Sequence, residues 1–399
     1  MNPLCHRSLY YCGLWFLGLI CCSAPPGSAT EVEDFFTRLE ATPAPWRPAL
    51  VDSFLQDLPG GQAPLLTDSL AYFLYHGDAE QVSIAGDLTA WQPDLPLQRV
   101  LGSDFWYRPV PLPADARIDY KLVRDGQEWL LDPLNPRTQM SGFGPNSELA
   151  MPAYRPPPEL APHHFPACDV VAVPEFFSPE LNNQRTIKIV LPPGYRPEEP
   201  RPLLVVHDGL EYIDLAGLPG ILSYLAATEP ALTLPICICI PPVQRTAEYA
   251  GELQEPFGRF VVHSILPYVR ARWSTLADDP EQTASLGASY GGSISLYLLG
   301  IYPQQFRRAV VMSPYVPPVQ RERIERQPAD TYRIYCNWGT YDLPQLLPLI
   351  ETFVAGLAER QAPHLSRCYH EGHSWGLWRA TLAEGLRFIY GDMTTKNWN

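Results

Sequence analysis

The chain has 399 residues, too long for one typical domain and enough for two, one small and one large. Hydrophobic residues make up 46% and charged ones 18%, which allows a substantial core and excludes bulk disorder. The formal net charge of −14, with no basic block or stripe, argues against nucleic acid and against an anionic membrane surface as partners.

The first 29 residues have the pattern of an export signal. Arg7 stands in a short n-region, an apolar stretch runs from Leu9 to Cys22, and small residues follow at Ser23, Ala24, Gly27, Ser28 and Ala29. The apolar stretch is short for a membrane span, so no membrane-spanning segment is expected in the mature chain. Cleavage near Ala29 would deliver the protein to the periplasm or the exterior. "LICC" also resembles a bacterial lipoprotein processing site, which would leave a lipid on Cys22. Cys168, Cys237, Cys239, Cys336 and Cys368 lie beyond the signal in no zinc or CxxC spacing. They leave room for one or two disulfides and require none.

Residues 30–60 predict a short helical segment, two amphipathic helices broken by "PAPW". Residues 61–153 change to short aromatic and β-branched runs separated by Gly, Asp and Pro, with a hairpin signal at "RDGQ". They predict a small all-β sandwich. Of its tryptophans, Trp91, Trp106 and Trp129, at least Trp106 suits the core. Residues 154–168 form a proline-rich linker.

From 169 to 395 the period changes. Near-continuous apolar runs at 185–191, 202–207, 234–240, 283–287, 309–313, 332–337 and 366–369 alternate with helix-length segments near 255–272, 291–300, 343–360 and 376–389. Apolar strands with helices between them predict an α/β fold with a mainly parallel central sheet covered on both faces.

The chemistry concentrates at Gly287-Ala288-Ser289-Tyr290-Gly291, a G-x-S-x-G between an apolar strand and a helix that opens on small residues. Such a turn is tight and strained, and it lifts the serine hydroxyl above the sheet edge. The alternative is a glycine-rich turn with an inert serine. A serine needs a base, and an acid to orient that base. Asp342, in "GTYD" just past a strand, is the candidate acid; it could instead cap the following helix, and Glu371 competes with it. His373, in "EGHSW" before the last helix, is the candidate base, with His370 as competitor. The oxyanion donors are expected to be the backbone N–H of Tyr290 and that of Gly209 or Leu210 in "HDGLEY", a loop braced by Asp208. No metal or organic cofactor is expected.

These motifs carry a family resemblance. "LPPGYRPEEPRPLLVVHDG", "RTAEY", "GASYGG", "VMSPY", "GTYD" and "EGHSWGLWR" resemble the α/β-hydrolase family that includes enterochelin (siderophore) esterases, feruloyl and acetyl-xylan esterases and esterase D. "VSIAGDLTAWQP" and "YKLVRDGQEWLLDPLNPR" resemble the early-set immunoglobulin-like module of the glycogen-binding type. The resemblance implies a serine esterase with the triad Ser289, Asp342 and His373, acting on a siderophore-type ester or an acylated sugar; the alternatives are a non-catalytic carbohydrate-binding protein with a degenerate hydrolase domain and a serine acyltransferase. It also implies an acyl pocket lined or braced by Arg245 and Glu248, with Trp375 and Asp208 beside it. Gln244 stands where relatives often carry Asp, and Arg245 and Arg379 are the main cations available for an anionic substrate.

Overall fold

The computed structural model describes residues 29–58, 63–276 and 279–391. The expected leader up to Ser28, including Cys22, lies outside them.

The described chain opens with two helices, α1 (Ala29–Ala41) and α2 (Arg47–Asp57). Ten strands follow: β1 (Leu65–Leu66), β2 (Leu70–His76), β3 (Val82–Gly86), β4 (Leu95–Pro96), β5 (Gln98–Arg99), β6 (Phe105–Pro111), β7 (Arg117–Arg124), β8 (Glu128–Leu130), β9 (Thr138–Ser141) and β10 (Gly144–Ala150). They form a four-stranded sheet, β1-β2-β6-β5, and a six-stranded one, β4-β3-β7-β10-β9 with β8 on β7.

Strand alternation sorts their side chains into layers. Tyr72 and Leu74 of β2 turn outward and pack with Val32, Phe35, Phe36 and Leu39 of α1. Ala71, Phe73 and Tyr75 turn inward against Ile118, Tyr120 and Leu122 of β7. The four-stranded sheet is therefore covered on both faces. This corrects the expected small immunoglobulin-like β-sandwich of the glycogen-binding type: the N-terminus is helical, and the unit is layered helix on sheet on sheet. Hydrophobic side chains on both faces of β2 demand that second cover, since about 25 cal/mol is gained per Å² of apolar surface removed from water.

The second unit carries an eight-stranded sheet of order β11-β12-β14-β13-β15-β16-β17-β18. Its strands are β11 (Asp169–Ser178), β12 (Asn183–Leu191), β13 (Leu203–His207), β14 (Ile236–Ile240), β15 (Thr283–Ala288), β16 (Arg308–Met312), β17 (Arg333–Tyr341) and β18 (His364–Gly372). From β14 to β18 all pairings are parallel; β11 and β12 run antiparallel at one edge. The helices are α3 (Gly209–Asp214), α4 (Leu218–Thr228), α5 (Arg245–Ala250), α6 (Gln254–Arg259), α7 (Leu266–Arg270), α8 (Tyr290–Ile301), α9 (Pro318–Glu325), α10 (Leu347–Glu359) and α11 (Trp375–Tyr390), with a π-helical turn Phe260–Ile265 joining α6 to α7.

The continuous apolar runs are explained by burial on both faces. Ile236, Ile238 and Ile240 of β14 enter the cluster formed with α8 and α10, while Cys237 and Cys239 enter the opposite cluster with α4 and α11. The five described cysteines are all free. Residues 154–168 do not hang loose. Leu160 packs against the α4–α11 cluster, and Glu159 lies 3.3 Å from Arg387. Among the described residues no helix is long and apolar enough to cross a membrane.

Candidate active site

Ser289 sits between β15 and α8 with φ 56° and ψ −120°, outside the regions an L-residue prefers. The strain is held by its neighbours. The Ser289 N–H donates to Met312 O at 2.8 Å, and its carbonyl accepts from Tyr315 N at 3.1 Å. Glycine is required at 287, because a Cβ there would overlap the Gly291 backbone. The turn thus presents the hydroxyl at the head of α8, into a cavity of about 640 Å³.

His373 lines the same cavity. Its Nδ1 lies 2.6 Å from Oδ1 of Asp342, a buried residue just behind it. Burial raises the Asp342 pKa, but the hydrogen bond and charge of His373, the Ser313 hydroxyl and the Leu343 N–H outweigh it and hold the carboxyl below its ordinary value. Asp342 does not cap the next helix, which begins at Leu347. The competitors point elsewhere: His370 pairs with Asp115 at the surface, and Glu371 faces Arg117.

Trp378 and Ser313, which sequence reasoning missed, hold this arrangement. Trp378 donates from Nε1 to Ser313 Oγ at 3.1 Å and sets its ring edge-to-face on His373 at 5.1 Å. Trp375, which lines the cavity, packs edge-to-face on Trp378. Ser313 was within sight in "VMSPY", directly after β16.

Asp208 adopts the left-handed conformation (φ 52°) at the head of α3 and also borders the cavity. Arg245 grips it with two hydrogen bonds, 2.8 Å from Nε to Oδ1 and 2.9 Å from Nη2 to Oδ2. Gly209 follows because a Cβ there would overlap the Cys239–Ile240 backbone. The N–H groups in the first turns of α3 and α8, including Gly209, Leu210 and Tyr290, have no carbonyl partner within their own helices. Glu248 does not line the cavity but stands behind it. It is fully buried, and its two oxygens accept from Arg185 at 2.9 and 3.0 Å. Bonds from the Val243 and Gln244 N–H groups make it a brace for the turn that leads into α5.

The cavity has a second wall, supplied by the N-terminal unit: Trp91, Asp119, Lys121, Trp129, Phe143 and Asn146. Trp106 is buried in that unit's core. A separate histidine–serine pair, His207 and Ser285 at 2.9 Å, lies fully buried between β13 and β15. Burial pushes the His207 pKa down to about 3, so the ring is neutral and serves packing, away from any opening. Among the described residues no cluster could hold a metal ion.

The sequence pattern of the family described as "Putative esterase" matches residues 178–389, more than half of the chain. The chain belongs to this esterase family. Iron(III) enterobactin esterase of Dickeya dadantii (strain 3937) is 27% identical to this esterase over 354 residues, 73% of this chain and 78% of the relative. Uncharacterized protein YjcH of Bacillus subtilis (strain 168) is 26% identical over 147 residues, 36% of this chain, and the match spans 60% of that relative. The enterochelin esterase of Shigella flexneri superposes with a TM-score of 0.68 at 22% identity, covering 85% of this chain and 97% of that one. The ferric enterobactin esterase of Salmonella typhimurium gives 0.66 at 20% identity, covering 80% and 93%. At these identities the solved structures establish a shared fold, and their coverage extends it across both units of the esterase.

Proposed function

We propose that this esterase is a serine carboxylic ester hydrolase that works through an acyl-enzyme at Ser289, on a siderophore-type ester. The observation that carries the chemistry is the strained Ser289 turn, opening into one cavity with a His373 that is backed by Asp342 at 2.6 Å.

With Asp342 ionised, Nδ1 of His373 must donate to it, which leaves Nε2 as the base. His373 takes the hydroxyl proton as Ser289 Oγ attacks the ester carbonyl. The backbone N–H of Tyr290 and that of Gly209 or Leu210 hold the developing oxyanion. The alcohol departs with the proton from His373, and water, deprotonated by the same imidazole, cleaves the acyl-enzyme. Asp342 stabilises the imidazolium at each proton transfer. Arg245 keeps Asp208 and the α3 turn in place, and Trp375 walls the cavity.

The substrate class rests on the Dickeya dadantii relative, whose name states that it is an enterobactin esterase, and on cavity chemistry. Trp91, Trp129 and Phe143 offer flat faces to aromatic rings, and Lys121 offers a cation. The leader-like residues up to Ala29 support an exported protein, which N-terminal mass spectrometry of the purified native chain tests. The decisive assay compares a catecholate triester with p-nitrophenyl, feruloyl and acetyl-sugar esters, for wild type and Ser289→Ala. The expected result is highest kcat/KM on the triester, abolished in the variant. Preference for acylated sugars would remove the siderophore assignment and keep the esterase one.

A further inference from the structure

Strand β7 of the N-terminal unit alternates Arg117, Ile118, Asp119, Tyr120, Lys121 and Leu122. The apolar members enter that unit's core, and the polar members turn toward the catalytic unit. Asp119 and Lys121 reach the cavity. Arg117 reaches further and is fully buried.

Its guanidinium is shared between the two units. Nε donates to Glu148 at 2.6 Å and Nη2 to Asp119 at 2.6 Å, both within the N-terminal unit. Nη1 donates to Ser374 Oγ at 3.2 Å and lies 3.6 Å from Glu371 Oε2, both in the catalytic unit. Ser374 and Glu371 flank the segment Gly372-His373. Both glycines near the histidine are required by the other unit. A Cβ on Gly372 would overlap Asp87, and one on Gly376 would overlap the Arg117 guanidinium. Asp87 is fastened in turn, accepting from the Asp119 N–H at 2.7 Å. The loop carrying His373 is thus pressed on the N-terminal unit before and after the histidine.

We propose that Arg117 is a positioning residue for His373, so that the N-terminal unit takes part in turnover as well as in walling the cavity. This rests on the reading of Ser289 and His373 as the reacting pair. The physical ground is orientation: displacing a catalytic group by about 1 Å costs on the order of 100-fold in rate. Arg117 touches no reacting atom and acts through Ser374 and the packing of Gly376.

The test uses Arg117→Lys, Ser374→Ala and the double variant in the full chain, with p-nitrophenyl butyrate and the preferred ester. Active sites are counted by fluorophosphonate labelling and folding is followed by thermal unfolding. Arg117→Lys keeps the buried positive charge and loses the fork that reaches Ser374. The expected result is a fall in kcat per active site of roughly 10- to 100-fold, with KM within about threefold, and a smaller fall of the same kind for Ser374→Ala. The double variant should be no worse than Arg117→Lys, because both changes remove one connection. Unchanged kcat per active site with only a lowered Tm would assign Arg117 a purely structural role and overturn the proposal. If Arg117→Lys does not fold, Ser374→Ala decides by the same criterion. Activity surviving in Ser289→Ala would instead remove the reading of the reacting pair on which it stands.

Discussion

Nδ1 of His373 and Oδ1 of Asp342 are 2.6 Å apart, within a site closed from behind by Ser313 and Trp378. A short charge-assisted bond of this kind selects the imidazole tautomer with its proton on Nδ1. Asp342→Asn would put an amide there, which can present its own N–H and select the other tautomer. The expected outcome is a fall in kcat on the order of 10³-fold or more with the fold retained. Because the Asp342 pKa is depressed in the folded state, its contribution to stability is present at neutral pH and lost as pH falls through the folded pKa. Steady-state kinetics with acid unfolding of wild type and variant checks both; kcat within threefold of wild type would speak against Asp342 as the orienting acid.

Ser313 serves two partners, accepting from Trp378 Nε1 and hydrogen-bonding to Asp342. Ser313→Ala leaves the Trp378 N–H and one Asp342 oxygen short of a partner. The expected loss is about 1–3 kcal/mol of stability, with kcat lowered several-fold. Denaturant unfolding and initial rates measure the two effects; a variant equal to wild type in both would show that neither bond matters.

Glu371 is buried, and burial first, then the neighbouring carboxylates of Asp119 and Glu148, raise its pKa to about 7 against the pull of Arg117 and Arg379. For an acid whose folded pKa is raised, the native state holds the proton where the unfolded chain has lost it. Stability therefore falls as pH rises from about 4.5 to about 7, by up to about 3 kcal/mol from this group. Asp87 and Asp119, also raised chiefly by burial, add in the same direction. Glu371→Gln should flatten the profile. Urea midpoints at pH 5 and pH 7 for both proteins test this, and parallel profiles would contradict it.

Much of the catalytic unit was legible because burial on both faces writes itself into continuous apolar runs. The Ser289 turn was legible from its G-x-S-x-G pattern, in which close strand–helix approach demands Gly287. The chain order of Ser289, Asp342 and His373 followed from where loops leave the strands. Edge strand β11 was not legible: Val170, Val171 and Phe177 are largely exposed, so its pattern lacks a buried face. Six-residue helices such as α3 and α5, which hold Asp208 and Arg245, are too short to show a period. The early-set resemblance misled because the strands alone look like a sandwich: the two helices were legible in the sequence, but their place as a third layer on β2 and β6 is set by packing. The cavity wall of Asp119 and Lys121, and the Arg117 contact with Ser374, join residues some 250 positions apart. R-I-D-Y-K-L alternates polar and apolar as a strand with a solvent-facing side does, so the burial of Arg117 and Asp119 could not be read from it.

Of the cations in the cavity lining, Arg245 is bound to Asp208, while Lys121 makes no ion pair among the described residues. An anionic substrate would therefore depend on Lys121. Lys121→Gln is expected to raise KM for a ferric catecholate triester about 3- to 10-fold at low salt and to leave a neutral p-nitrophenyl ester unchanged. Added salt should erase much of the difference, since the Debye length shrinks to about 10 Å at 0.1 M. Equal effects on both esters would point to lost packing rather than lost charge.

The central claim is that Ser289 forms the acyl-enzyme. Intact-protein and peptide mass spectrometry after reaction with a fluorophosphonate, run beside ester hydrolysis, tests it most directly. The account predicts one adduct per chain on Ser289, loss of hydrolysis in proportion to labelling, and neither adduct nor turnover above background in Ser289→Ala. Label on another residue, or hydrolysis by Ser289→Ala near the wild-type rate, would contradict it.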